Sequence, residues 1–173
     1  ALGHRASADG HDGVMVMGDE STTDSIEAVA NNEFAARYAG GYRFRTNATL
    51  TTGCNLPAGS GVFSCSSSRD LKENFRRVAG EDLLKSLRAI PVTRWNYIGE
   101  QQGVEHIGPV AQDWFKYLKL GTDDKSIGML DEGGVAIAAA QALDKRTEDL
   151  RAELKAKDAK IASLEERIAR LEA

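Results

Sequence analysis

Aromatic side chains are scarce in this chain of 173 residues, where they account for 6% of the sequence. Both tryptophans, Trp95 and Trp114, lie in the second half, whereas the 17 glycines are concentrated towards the N-terminal half. Because bulky apolar side chains fill a core and glycine does not, this distribution argues against one uniform globule. A hydrophobic content of 42% still allows a folded core, and the length suits one ordinary domain or two small ones.

Long apolar runs and excess positive charge are also missing. No apolar run reaches the roughly 18 residues of a membrane span. The net charge is −4 and the pI is near 5.5, which argues against nucleic acid as a partner. The sequence carries no Walker loop, zincin motif, dinucleotide fingerprint or nucleophile elbow. We therefore expect neither a membrane span nor a bound cofactor.

Cysteine and histidine are too few to predict a metal site. The two cysteines, Cys54 and Cys65, do not make a structural zinc site by themselves, since such a site takes four ligands. His4 and His11 lie in a glycine-containing stretch and suggest no ligand set. The sequence leaves open whether the two cysteines form a disulfide or remain free thiols.

The N-terminal third has the pattern of short strands. Residues 1–24 place glycines between small or apolar residues without a helical period, which is typical of a β-roll; a flexible loop is the alternative. In residues 25–66, Tyr42 and Phe44 alternate with arginines as in a half-buried strand. Gly40-Gly41 predicts a hairpin turn ahead of that strand. These residues resemble the β-rich end of a fibre, whose core would come from association between chains.

Residues 67–135 predict a small α+β domain. Asp70 and Glu73 have the spacing of a helix capping box. A helix is expected from Glu81 to Ala89, followed by strands at 92–98 and 106–108 and a helix from Pro109 to about Gly121. The predicted fold class is thus α+β, with this mixed domain between a β-rich fibre segment and a C-terminal parallel coiled coil.

Residues 136–173 predict a long helix and coiled coil, because the pattern after Gly133-Gly134 contains no further glycine or proline. An amphipathic surface helix is the alternative reading. Lys160 with Glu165 is an attractive pair in a parallel arrangement. Isoleucine at heptad position a combined with leucine at position d favours a two-stranded coiled coil. The a positions are Thr147, Leu154, Ile161 and Ile168, and the d positions are Leu143, Leu150, Lys157, Leu164 and Leu171.

The candidate chemistry is a serine and a lysine five residues apart, Ser67 and Lys72. A serine hydroxyl becomes nucleophilic when a base takes its proton, and a lysine amine can do so if burial keeps it neutral. Asn74, or backbone amides of a helix after Asp70, could stabilise the oxyanion. Chance spacing of two common surface residues is the alternative, and the neighbouring serines leave open which hydroxyl matters.

His106 and Gln112 are a second polar pair, in the apolar run HIGPVAQDW. The favoured interpretation of His106 is a hydrogen-bonded structural histidine. The alternative is that the pair supports catalysis.

The order of several motifs resembles a known family. SSRDLKENF, LRAIPVTRWNYIGE and HIGPVAQDW precede a GVAIAAAQAL helix that enters the heptads. Together, over about residues 65–173, they resemble the endosialidase-type intramolecular chaperone domain of phage tailspikes, tail fibres, bacterial surface proteins and myelin regulatory factor. Residues 1–24 look like the head repeats of trimeric autotransporter adhesins.

The resemblance implies a specific activity. In that family the domain assembles its fibre as a homotrimer and then cuts itself off through a serine–lysine dyad. It implies that Ser67 is the nucleophile, that Lys72 is the base and that the scissile bond joins Ser66 to Ser67. One position departs from the family, which usually has Asp or Asn where this chain has Ser68.

The expected function is therefore a C-terminal intramolecular chaperone that trimerises and registers a β-fibre and then releases itself. It would be at most a single-turnover serine peptidase. The alternative is a structural trimerisation tip that never cuts. The expected partners are copies of itself and a host or cell-surface receptor for the fibre, at a virion tail or a bacterial surface.

Overall fold

The computed structural model describes residues 1–172 and confirms the α+β fold class. The chain divides into two compact units, Ala1–Phe75 and Arg76–Ala173. The first unit contains all the parallel strands, and the second contains the three α-helices.

The first part of the first unit is built from short parallel strands. One sheet has the order β1-β3-β5, and a second sheet pairs β2 with β4. Val16 and Ala28 are buried between these strands and loops. A Cβ on Gly3 would lie 2.1 Å from the Gly18 carbonyl oxygen. The close approach of strands β1 and β3 therefore requires glycine at position 3. The bounds are Leu2–Gly3 (β1), Ala6–Ser7 (β2), Met15–Gly18 (β3), Ile26–Glu27 (β4) and Phe34–Arg37 (β5).

The second part of the first unit is an antiparallel sheet with the order β6-β7-β8. The hairpin predicted at Gly40-Gly41 is wrong, because β5 belongs to the parallel sheet and β6 pairs with β7. Gly41 has a φ of 87°, which lets the chain leave one sheet for the other. The true hairpin loop spans residues 46–52. The strands are Gly41–Arg45 (β6), Gly53–Pro57 (β7) and Ser64–Cys65 (β8).

The second unit has the predicted order of helix, two strands and helix. The hairpin of β9 and β10 is antiparallel, and the first strand is shorter than the predicted 92–98. The buried core consists of Leu84, Ile90, Trp114 and Val135. The bounds are Gly80–Ala89 (α1), Thr93–Trp95 (β9), His106–Gly108 (β10), Ala111–Leu118 (α2) and Met129–Glu172 (α3).

Helix α3 starts at Met129 and runs through Gly133-Gly134, which the sequence placed ahead of the helix. Each helical glycine costs roughly 1 kcal/mol relative to alanine; further along, α3 packs against α1. Gly80 lies close to Ala142, where a Cβ would sit 2.7 Å from the alanine Cβ. No described helix is long and apolar enough to span a membrane.

Candidate functional site

Ser67 and Lys72 are in direct contact. The Lys72 Nζ donates a hydrogen bond to the Ser67 Oγ at 2.7 Å, and both residues are exposed. Ser67 follows β8 after a single intervening residue, so the nucleophile candidate lies at the end of the antiparallel sheet. If the amine is neutral, the same contact can reverse, with the serine hydroxyl donating to the lysine lone pair.

A short 3-10 turn at Arg69–Leu71 brings the lysine back to the serine. Ser68 is its N-cap, and its Oγ accepts a hydrogen bond from the Asp70 N–H at 3.3 Å. The Lys72 N–H closes the turn on the Arg69 carbonyl at 3.1 Å. The turn therefore folds the chain back over the five-residue spacing.

The helix predicted from the Asp70–Glu73 capping box is wrong, since only this single turn forms. Ser68, rather than Asp70, provides the cap. Asn74 then adopts a left-handed φ of 56°, which interrupts any continuation of the turn. The next helix, α1, begins at Gly80.

The three consecutive serines have different hydrogen-bond partners. The Ser66 Oγ accepts from the Gly53 N–H at 3.1 Å, while the Ser68 Oγ caps Asp70. Within residues 1–172, Ser67 is the serine whose hydroxyl contacts Lys72. The geometry therefore distinguishes the three hydroxyls that the sequence left equivalent.

Three backbone amides at the turn are already hydrogen bonded. The Asp70 N–H donates to the Ser68 Oγ, and the Leu71 and Lys72 N–H groups donate to backbone carbonyls. Among the described residues, Asn74 makes no hydrogen bond to the dyad. An oxyanion needs donors that are free and aimed at it, and these amides are not free.

The surroundings of Lys72 do not meet the condition of burial that a neutral amine requires. Both dyad residues are exposed in the single chain. Desolvation is what disfavours the charged form of an amine, so one chain by itself does not supply a low-dielectric environment for this base.

His106 and Gln112 belong to the second unit and do not pair with each other in the part of the chain that the structure describes. His106 lies on β10, and its Nε2 donates to Glu100 Oε1 at 3.0 Å. This bond, with that from the Tyr97 N–H, holds the pKa of Glu100 below its usual range. The His106 ring lies 4.7 Å from the Trp95 ring. These contacts are those of a structural histidine.

Gln112 lies on α2 beside an open groove of about 610 Å³. The groove is lined by Trp95, Ile107 and Pro109, among others. No group of three or more metal-ligating side chains occurs among residues 1–172.

The sequence left the state of the cysteines open, and the structure contains a Cys54–Cys65 disulfide. The two residues are directly opposite each other on β7 and β8. The short separation of the two cysteines in a strand-rich segment was the sequence signal for this disulfide. Gly53, whose backbone N–H donates to the Ser66 Oγ, was also missed from the sequence alone.

Residues 67–119 match the family model described as chaperone of endosialidase. No curated protein and no solved structure matches the chain. The family is associated with phage tail or surface fibres. The match includes no residue of the segment 1–24, whose likeness to adhesin heads stays a prediction. The matched segment starts at Ser67 and extends through Lys72, β9, β10 and α2, so this part of the chain is similar to the endosialidase-type chaperone domain.

Proposed function

We propose that the chain is an intramolecular chaperone that trimerises a β-fibre and then cuts itself off between Ser66 and Ser67. The observation that carries the proposal is the 2.7 Å contact between Lys72 Nζ and Ser67 Oγ. This contact lies at the first residue of the chaperone match and just after the last strand of the β-rich unit. A cut there would separate the β-rich residues from the chaperone domain.

The reaction would be an acyl shift followed by hydrolysis. Neutral Lys72 takes the proton of the Ser67 hydroxyl, and the Oγ bonds to the carbonyl carbon of Ser66. The bond from that carbon to the Ser67 nitrogen breaks, and the nitrogen receives the proton from Lys72. Water then hydrolyses the ester, which leaves a carboxylate on Ser66 and a free hydroxyl and amine on Ser67.

Assembly is the proposed source of the missing desolvation. The heptad seam of α3, formed by its a and d positions, is exposed in the single chain. The a-position residues Leu154, Ile161 and Ile168 are 59%, 53% and 53% exposed. Such a stripe is buried when helices associate. Neighbouring chains in the trimer would also cover the dyad, which would favour the neutral amine and couple the cut to completed assembly.

The trimer would serve the β-rich unit by setting the register of its strands. Joining the chains raises their effective concentration and lowers the ordering cost of a fold with many long-range contacts. The fibre would stay folded after release because re-threading unfolded chains is kinetically blocked. A host or cell-surface receptor is the proposed ligand of the fibre, at a virion tail or bacterial surface.

Mass spectrometry of the expressed chain tests the cut. We expect two fragments that meet at Ser66 and Ser67, and a single intact mass for Ser67→Ala and for Lys72→Ala. Light scattering on all three proteins shows whether the variants still assemble. An intact wild-type mass in a correctly assembled trimer would contradict the proposed cleavage.

A non-cleaving trimerisation tip is the second candidate. It is favoured by the exposure of the dyad and by the hydrogen bonds that already occupy the Asp70, Leu71 and Lys72 amides. The same measurement separates the two, because a structural tip would keep its full mass with every residue in place. In that case Ser67 and Lys72 would act only as part of a capped turn.

A further inference from the structure

Ser66, the residue on the acyl side of the proposed cut, is held by hydrogen bonds from both its backbone and its side chain. The Ser66 N–H donates to the Gly53 carbonyl at 2.8 Å, and the Ser66 Oγ accepts from the Gly53 N–H at 3.1 Å. The same hydroxyl lies 2.9 Å from the Gly53 carbonyl oxygen and 3.0 Å from that of Thr51, and it donates its one proton to either. Ser66 therefore uses both its backbone and its side chain to bind the start of β7.

Gly53 cannot be replaced by another residue without moving this anchor. Its φ is 148°, and a Cβ there would lie 1.9 Å from the Phe44 carbonyl oxygen. The absence of a side chain lets the β6–β7 hairpin close tightly at this point. The Gly53 amide and carbonyl therefore present a fixed pair of hydrogen-bonding groups to Ser66.

A covalent bond reinforces the same place. Cys65, the residue before Ser66, is bonded to Cys54, the residue after Gly53. The chain is thus tied to β7 by a disulfide, by the strand pairing of β8 and by the Ser66 contacts, all ahead of the proposed scissile bond. On the other side of that bond, the capped turn holds Lys72 against Ser67.

We propose that the Ser66 side chain is a positioning residue for self-cleavage, and that it fixes the scissile carbonyl relative to Ser67 by anchoring to Gly53. This inference rests on the proposed function. Attack by the Ser67 Oγ on the preceding carbonyl depends on the torsions about one peptide bond. A small misplacement of reacting atoms can reduce a rate by roughly a hundredfold, so holding both flanks of the bond favours the reactive geometry.

The test compares cleavage rates of full-length chains by mass spectrometry over time, after light scattering has shown equal assembly. We expect Ser66→Ala to slow the cut by roughly tenfold to a hundredfold. Ser66→Thr keeps the hydroxyl and should restore the rate to within about threefold of wild type. Ser64→Ala is the matched control, because Ser64 lies two residues earlier, on β8, and is exposed.

A pH profile separates a positioning role of the Ser66 hydroxyl from a role in proton transfer. The Ser66 hydroxyl takes no part in proton transfer, so Ser66→Ala should lower the rate by the same factor from about pH 6 to about pH 9. Equal rates for Ser66→Ala and wild type would overturn the anchor and leave the proposed function intact. Equal slowing in Ser64→Ala, or no rescue by Ser66→Thr, would also overturn it. An intact wild-type chain would remove the proposed function itself and the anchor with it.

Discussion

Ser68 occupies the position at which the endosialidase chaperone family, by resemblance, usually has Asp or Asn. Its Oγ accepts the Asp70 N–H and caps the 3-10 turn that returns Lys72 to Ser67. Serine, aspartate and asparagine are about equally good N-caps. The departure from the family pattern therefore keeps the hydrogen bond that such a residue would make.

Replacing Ser68 should separate capping from chemistry. Ser68→Ala removes a cap contribution of about 1 kcal/mol, which corresponds to a roughly fivefold slower cut if the turn must be formed for reaction. Ser68→Asp should retain the wild-type rate. Time-resolved mass spectrometry of the two variants measures this, and equal rates for Ser68→Ala and Ser68→Asp would show that the cap is irrelevant.

Asp19 is the most strongly hydrogen-bonded carboxylate in the first unit. It accepts from the Ala39 N–H, from the Ser21 hydroxyl and from Arg37 Nε. These bonds, that of Ala39 first, lower the pKa of Asp19 from 3.8 to about 2. The carboxylate thereby connects the loop after β3 to the residues after β5.

The lowered pKa of Asp19 sets the direction of a pH effect on stability. Because its folded pKa lies below the unfolded value, the stabilisation is complete above about pH 4 and is lost as the pH falls towards about 2. Thermal unfolding monitored by circular dichroism should give a higher melting temperature for wild type than for Asp19→Asn at pH 6. This difference should shrink as the pH falls from about 4 towards about 2. Glu20→Gln, at the exposed neighbouring residue, is the control. A pH-independent gap would contradict the assignment.

At the scale of elements, the Cys54–Cys65 disulfide closes a loop with a sequence separation of 11. By the loop-entropy relation, such a bridge stabilises the folded state by about 3 kcal/mol. We expect the double variant Cys54→Ala, Cys65→Ala, made in the Ser67→Ala background, to lose about that much unfolding free energy in denaturant titrations. An unchanged midpoint would mean that strand pairing alone holds β8.

Elements with a strong period could be predicted, and the connections between sheets could not. Helix α1 and helix α2 followed from their apolar spacing, and β10 was predicted within its observed bounds. The pairing partner of β5 was not predictable, because its partner β3 is far away in sequence and no local signal separates parallel from antiparallel pairing.

The candidate site was predictable in its residues and only partly in its geometry. The spacing of Ser67 and Lys72 was visible in the sequence, but their contact depends on a 3-10 turn that was expected to be a longer helix. The left-handed conformation of Asn74 interrupts that helix. The contribution of Gly53 depends on a hairpin closure that only the folded sheet reveals.

On the scale of the whole molecule, little apolar surface is buried within one chain. Among the described residues, six apolar side chains form the core, whereas large hydrophobic residues are exposed in both units. Leu2, Phe44, Ile98 and Ile137 are examples, with exposures of 57%, 53%, 106% and 63%. Exposure on this scale is typical of surfaces that associate.

Breaking the seam tests whether assembly controls the cut. Ile161→Lys places a charge at an a position, so we expect it to lower the light-scattering mass from three times the chain mass of 18.7 kDa and to abolish cleavage. Ala162→Lys, at the adjacent outward position, should do neither. A monomeric Ile161→Lys chain that still cuts would show that the dyad needs no neighbouring chain. A dimeric wild type would favour the two-stranded preference of its heptads.

The order of the disulfide and the dyad along the chain has a consequence for durability. After the proposed cut, the new carboxyl terminus is Ser66, and the next residue inward is Cys65, which is covalently bonded to Cys54. A carboxypeptidase digesting from that end would meet a cross-linked residue after removing one amino acid. The C-terminal end of the released fibre would therefore resist further digestion by carboxypeptidases.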